Sequence, residues 1–245
     1  MNPVLKRTLT GLAVGAVVIG AALFAPPVAI KPVVACLAFL AIVEFWCLLH
    51  RKVSDGCTKN AGWLYGIPYL GGAAIIAGGL WMLASIPQRY VDVVCDGDAS
   101  CLSLHLGNVM LLYVIAIVKF SDVGGFAFGL TSAKLMKGGN HKLCPTISPN
   151  KSWEGLFGSV FASCLVSCCF MGATGFGVVK SLACGVTAAV VGTAGDLVES
   201  KFKRWVGVKD SSTMKITNGM GGILDMVDSL IFAPAALYAL MGLSF

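Results

Sequence analysis

Apolar runs about as long as a bilayer is thick recur along nearly the whole of this chain. That feature limits its folding more than any other. A transmembrane helix needs roughly 20 predominantly apolar residues, and a soluble domain rarely sustains such runs. Here they fall at residues 9–24, 32–49, 62–86, 104–130, 153–170, 178–194 and 223–243. Only 12% of the 245 residues are charged and the mean hydropathy is +0.83, whereas a soluble chain carries about 25% charged residues. The expectation is an all-α polytopic membrane protein of about seven transmembrane helices, folded as one integral membrane domain over 1–245. The first run follows Lys6 and Arg7 as a signal peptide would, but Ala25-Pro26-Pro27 is a poor cleavage site and further spans follow. It is read as a retained helix.

Several positions inside the runs are unusual. Glu44 lies in the second span, and an acid there must face the bundle interior, either pairing with a neighbouring helix or serving a site directly. The third span is rich in glycine and suited to close helix packing. The run 104–130 is interrupted by Lys119, Ser121 and Asp122. At about 1.5 Å per residue it exceeds a ~30 Å core, so it is tilted or else broken near Asp122. The last run is expected to bend at Pro234.

Lysine and arginine crowd the N-terminus and the loops 51–61, 131–152 and 196–220, and are sparse in the alternate loops. By the positive-inside rule the N-terminus and the charged loops face the cytoplasm and the C-terminus lies outside. Most of the ten cysteines stand in apolar runs as small hydrophobes. Cys95 and Cys101 share a polar loop with Asp92, Asp96 and Asp98. A disulfide there would need an oxidising compartment, and the topology puts that loop outside.

Charge is concentrated in one stretch, residues 195–229, with apolar runs on both sides. Charge beside hydrocarbon is costly unless paired, solvated or bound to an ion, so the stretch is the candidate site. Asp196, Ser200, Lys203 and Arg204 recur at helical spacing and share a face. A carboxylate, a hydroxyl and cations so placed can hold a hard metal ion and the phosphates it bridges. Mg²⁺ takes one or two protein carboxylates and leaves the rest to water and phosphate. Glu199 and Lys201 read more simply as a solvated helix end, with Glu199–Lys203 an i,i+4 ion pair. Asp225 and Asp228 follow Gly219-Met220-Gly221-Gly222. One acid at a helix start is ordinary. A second, three residues deeper among Met226, Val227 and Leu230, argues for function. The glycines, Gly221 and Gly222 among them, would let backbone amides approach phosphate at a helix N-terminus. A second constellation, residues 141–155, offers Lys142, Lys151, Ser148 and Ser152 to a polyphosphate, whereas Lys134 and Lys137 read as positive-inside charge and Trp153 as an interfacial anchor. No Walker A loop, zinc-deaminase signature or GxSxG elbow is present.

With these motifs in order, the chain resembles the phosphatidate cytidylyltransferases (CDP-diacylglycerol synthases). The family signature runs S-x-apolar-K-R, four residues, K-D, then Gly-Gly-apolar-x-Asp and a final Asp. Ser200, Phe202, Lys203, Arg204, Lys209, Asp210, Gly221, Gly222, Asp225 and Asp228 follow it. Gly195-Asp196-Leu197 with Glu199 resembles its G-D-L-x-E lead-in. Residues 122–129 resemble D-x-x-A-Y-x-x-G with Gly125 and Phe126 replacing Ala and Tyr. Residues 141–155 resemble H-K-L-x-P-x-I-S-P-x-K-T-W-E-G with Ser152 for Thr. Thr217-Asn218-Gly219-Met220 replaces the usual Pro-Gly-His, and Met226 stands where an Arg is common. The likeness covers roughly residues 107–235, which divides the domain into N-terminal helices over 1–103 and a catalytic half over 104–245.

The resemblance implies transfer of CMP from CTP to phosphatidate, releasing pyrophosphate, at the cytoplasmic face of a bacterial-type inner membrane. It implies Mg²⁺, with a second cation an option, held by Asp196, Asp225 and Asp228. Lys203, Arg204, Lys209 and Lys151 would neutralise phosphates, and Ser148 and Ser200 would hydrogen-bond them. Asp122 would position metal, cytidine or ribose. CTP, phosphatidate and the bilayer are the expected partners, nucleic acid is not, and family habit suggests a homodimer. A CTP-dependent polyprenol or diacylglycerol kinase is the nearer rival reading. A transporter is the more distant one, since the acids cluster at one face and no internal repeat is visible.

Overall fold

The computed structural model describes residues 20, 26–52, 62–94, 101–136, 139–208 and 222–243. The expected first span, apart from Gly20, lies outside the described residues, as do Cys95, Lys209 and Gly221. Within them the chain runs α1 (Pro27–Lys52), α2 (Gly62–Val94), α3 (Cys101–Leu135), β1 (Lys142–Cys144), β2 (Ser148–Ser152), α4 (Trp153–Cys169), the single turn α5 (Met171–Thr174), α6 (Val178–Val206) and α7 (Ile223–Met241). The helices α1, α2, α3, α6 and α7 are long and apolar enough to cross a membrane, while α4 is apolar but has only 17 residues. The protein is an integral membrane protein built from helices.

Side chains sort by contact with neighbouring helices rather than by polarity, as expected where lipid is the solvent. Leu48, Leu80, Tyr113, Ile117 and Leu237 are buried between helices, and Phe39, Trp81, Phe126, Phe157 and Val179 point outward. In water so much exposed aromatic and aliphatic surface would drive association. Against hydrocarbon it carries little penalty.

α3 settles one of the alternatives left open by the sequence. It is continuous through Asp122 from Cys101 to Leu135, and its 35 residues extend about 52 Å at 1.5 Å each. Its second half packs on α4 more extensively than any other pair of elements. Small residues make this possible: a Cβ on Gly124 would meet Ala162 and the Gly158 carbonyl, and one on Gly158 would meet the Phe128 side chain. A serine stripe on the same helix joins α4 to α6, where Ser167 Oγ donates to Ser181 O at 2.6 Å and Ser163 Oγ to Gly185 O. The Tyr113 hydroxyl of α3 meets Ser167 Oγ at 2.8 Å. Such bonds hold helices together where no hydrophobic effect can.

The polar segment expected as a loop over 131–152 is more ordered than that. α3 continues to Leu135, and β1 pairs antiparallel with β2 in a hairpin. Ser152, the last residue of β2, also caps α4 by accepting the Gly155 amide at 3.1 Å. His141 is tied to the first turn of α4, its ring Nδ1 lying 2.7 Å from Glu154 Oε1. The hairpin is thereby fixed against α4, and Lys151 is aimed at α6. Helix α7 packs chiefly on α6 and α2, and less extensively on α1 and α3. It runs through Pro234, which is fully buried among those neighbours.

Candidate active site

The C-terminal half of α6 and the first turns of α7 lie side by side, which brings their acids together. On α6, Asp196, Glu199 and Lys203 recur at helical spacing and turn inward. Lys203 and Glu199 are each 8% exposed and bonded at 3.0 Å. The Lys203 ammonium also pairs with Asp225 of α7. The other Asp225 oxygen accepts the Gly222 amide at 3.1 Å and so closes the first turn of α7. Asp225 therefore joins the two helices and caps one of them. Buried ions of this kind are tolerable only when paired and hydrogen-bonded.

Asp196 is held from the hairpin. Lys151 Nζ donates to its Oδ2 at 2.9 Å and to Thr193 O at 3.1 Å. The second oxygen, Oδ1, is buried and has no N–H or hydroxyl donor on it among the described residues. It belongs to a carboxylate within electrostatic reach of Asp228, and Asp228 in turn interacts with Glu199. Across the site, Lys119 of α3 bonds Asp122 Oδ2 at 3.1 Å and Ser229 Oγ at 2.9 Å, and Ser229 Oγ also reaches Asp122 at 3.1 Å. Four elements thus converge: α3 with Lys119 and Asp122, the hairpin with Lys151, α6 with Asp196, Glu199 and Lys203, and α7 with Asp225, Asp228 and Ser229.

Beside the cluster lies a cavity of about 220 Å³ between α1, α2, α6 and α7. Its wall is apolar, with Phe45, Ile76, Phe202 and Phe232, except where Glu199 and Asp228 close it. Ile75 and Val198, on its rim, are exposed. The site is therefore polar on one side and apolar on the other, with exposed apolar side chains at the cavity rim.

Among the residues anticipated from sequence, Asp122, Lys151, Asp196, Lys203, Asp225 and Asp228 come together. Gly222 stands at the N-cap of α7. Ser200 is half-buried beside Glu199 and makes no hydrogen bond to the cluster among the described residues. Arg204 is exposed and donates to Val208 O at 3.4 Å. Ser148 opens β2 opposite Cys144. Glu199, taken from sequence as part of a solvated helix end, is instead buried within the cluster. Lys119 and Ser229 went unrecognised as site residues, although a lysine three residues before an aspartate in an apolar run was the available signal.

A hard divalent cation suits this arrangement. All the donors are oxygens, carboxylates outnumber ammoniums in the cluster, and one buried Asp196 oxygen has no N–H or hydroxyl donor among the described residues. No group of three metal-ligating side chains is gathered among the described residues, and Mg²⁺ needs only one or two carboxylates besides phosphate and water. Asp196 and Asp228 are two acids of the cluster that interact with each other across the α6–α7 contact.

Comparison with known proteins agrees with the geometry. Residues 81–244 match the family model described as the cytidylyltransferase family. A phosphatidate cytidylyltransferase from Staphylococcus aureus (strain COL) is 43% identical over 133 residues, 54% of this chain and 48% of that protein. One from Helicobacter pylori (strain ATCC 700392 / 26695) is 43% identical over 136 residues, 55% of this chain and 48% of that protein. One from Staphylococcus saprophyticus is 41% identical over 133 residues. The matched region spans about half the length of these curated relatives. The family match takes in the second half of α2 and every later element, and with them each acid and ammonium of the cluster. The chain belongs to the cytidylyltransferase family.

Proposed function

We propose that this protein is a phosphatidate cytidylyltransferase, converting CTP and phosphatidate to CDP-diacylglycerol and pyrophosphate. The observation that carries the reading is the meeting of Asp196, Asp228 and Lys151 beside an apolar cavity, within the stretch shared with relatives of that name. A phosphate oxygen of the lipid attacks the α-phosphorus of CTP, and the bond from that phosphorus to the pyrophosphate oxygen breaks. Both reactants are anions, so what the site must supply is positive charge at fixed positions. Asp196 and Asp228 would hold Mg²⁺, which when bound offsets phosphate charge and orients the triphosphate. Lys151 and Lys119 stand on either side of these acids and can shift their ammoniums onto incoming phosphate oxygens. Lys203 keeps Glu199 and Asp225 in register. No side-chain nucleophile is needed, because the lipid phosphate is one. The apolar cavity would take the acyl portion next to the headgroup.

The same reading carries the finer topology. It has about seven spans with the short α4 among them, the cluster and hairpin at the cytoplasmic face of an inner membrane, and two copies associated as a homodimer. Lysine-rich loops next to the cluster support that orientation.

The test is an assay of protein in lipid nanodiscs with α-labelled CTP, phosphatidate and Mg²⁺, alongside Asp228→Asn. Labelled lipid and released pyrophosphate are expected, with at least a hundredfold loss in the variant, as for removal of a central electrostatic group (~10²–10³). Labelled CDP without labelled lipid, on supplying a lipid alcohol, would overturn the reading in favour of a CTP-dependent lipid kinase.

A further inference from the structure

Two consecutive residues of α1, Glu44 and Phe45, reach the cluster from a helix that lies wholly before the matched stretch 81–244. Glu44 is 2% exposed, and its Oε2 accepts the Leu224 amide at 2.8 Å. Leu224 is the second residue of α7, so this amide is among those that the helix cannot satisfy from within. Asp225 takes the Gly222 amide and Glu44 takes the Leu224 amide, and two carboxylates thus hold the positive end of α7. Phe45 stacks on Phe202 with ring centroids 4.7 Å apart, and Phe202 immediately precedes Lys203 on α6. Gly72 of α2 leaves room for that ring, since a Cβ there would run into it. One turn of α1 therefore braces both acid-bearing helices where they meet. A buried carboxylate is costly in a bilayer interior, and its hydrogen bond to α7 offsets part of that cost.

We propose that Glu44 is a positioning residue: by capping the first turn of α7 it fixes the register in which Asp225 and Asp228 face α6. This rests on the reading of the site given above. The test compares Glu44→Ala and Glu44→Gln in the full chain in nanodiscs. The readouts are steady-state CMP transfer and amide hydrogen exchange in the peptide containing Leu224. The alanine variant is expected to lose about 10- to 100-fold in kcat, as a displaced reacting group does. Its KM for CTP should stay within about twofold and exchange at the start of α7 should quicken, because the loss lies in alignment rather than in binding. The glutamine variant keeps an acceptor oxygen, so both quantities should return most of the way to wild type. Wild-type kcat and exchange in the alanine variant would overturn the proposal, and so would a glutamine variant as slow as alanine. If the alanine variant does not fold, Glu44→Met, of similar volume but lacking the acceptor, takes its place with the same two outcomes. If the wild-type protein transfers no CMP, the functional reading falls by itself and exchange at Leu224 decides the positioning claim. Quickened exchange in the alanine variant would support it, and unchanged exchange would overturn it.

Discussion

Lys203 shows what a single side chain must do in this site. Its side chain is 9% exposed, and its ammonium is shared between Glu199 on its own helix and Asp225 on the next. Replacing Lys203 by Met leaves two carboxylates buried without their cation. Breaking such a group from one side costs about 3–5 kcal/mol, to be read as a lower midpoint in a denaturant titration of the detergent-solubilised protein. Adding Glu199→Gln and Asp225→Asn to the same chain removes the stranded charges and should recover most of that loss. The residues around Lys203 also mark what could be read from sequence. Asp196, Asp225 and Asp228 stood out because charge in apolar surroundings is conspicuous. Glu199 did not, since an i,i+4 partner gave it an ordinary explanation. Its burial depends on α7, which follows more than fifteen residues after α6 ends, and spacing along one helix carries no information about that neighbour.

Between elements, the α3–α4 contact does most to set the shape of the site, because it fixes Asp122 and the hairpin relative to each other. It relies on backbone approaching backbone at Gly124 and Gly158. A leucine at Gly158 would drive its side chain into Phe128 and push the helices apart. Overpacking of this kind costs about 1–3 kcal/mol, and a thermal melt in detergent measures it. Turnover should fall further than the melt suggests, since Lys151 and Asp122 move with the two helices. The glycines of α3 were visible in sequence as part of a motif. Their partners on α4 were not, and neither was the continuity of α3 through Asp122. A charge in a long apolar run marks a break or a pairing equally well, and here Lys119 and Ser229 supply the pairing.

For the molecule as a whole, α6 and α7 run antiparallel, which puts the acid cluster at one end of the bundle and Lys180 at the other. There Lys180 donates to Met241 O at 3.1 Å, near the C-terminal end of α7. The proposed topology places the hairpin in the cytoplasm and Lys180 outside. Single cysteines at Asn150 and Lys180, in a chain whose native cysteines are replaced, should label with a membrane-impermeant maleimide from opposite sides. Asn150 should be accessible only after the membrane is opened, and labelling of both from outside would reverse the orientation. The helical class and most of the spans were legible in the apolar runs, because length and hydropathy alone decide them. The hairpin was not, since its strands are short and polar and take their order from the caps that Ser152 and Glu154 provide.

The shortness of α4 has a consequence for the lipid around it. Its 17 residues rise about 26 Å, a few ångströms less than a ~30 Å hydrocarbon layer. In the proposed topology, where α4 is a span, a bilayer would meet it by thinning beside it, and Lys151 lies just before its first turn. On that flank the headgroup layer would dip toward Asp196, so an amphiphile could present its phosphate without being lifted from its leaflet. Bilayer thickness would then act as a control on the proposed turnover: membranes of long, saturated chains would resist the dip, and thinner fluid ones would supply it at little cost.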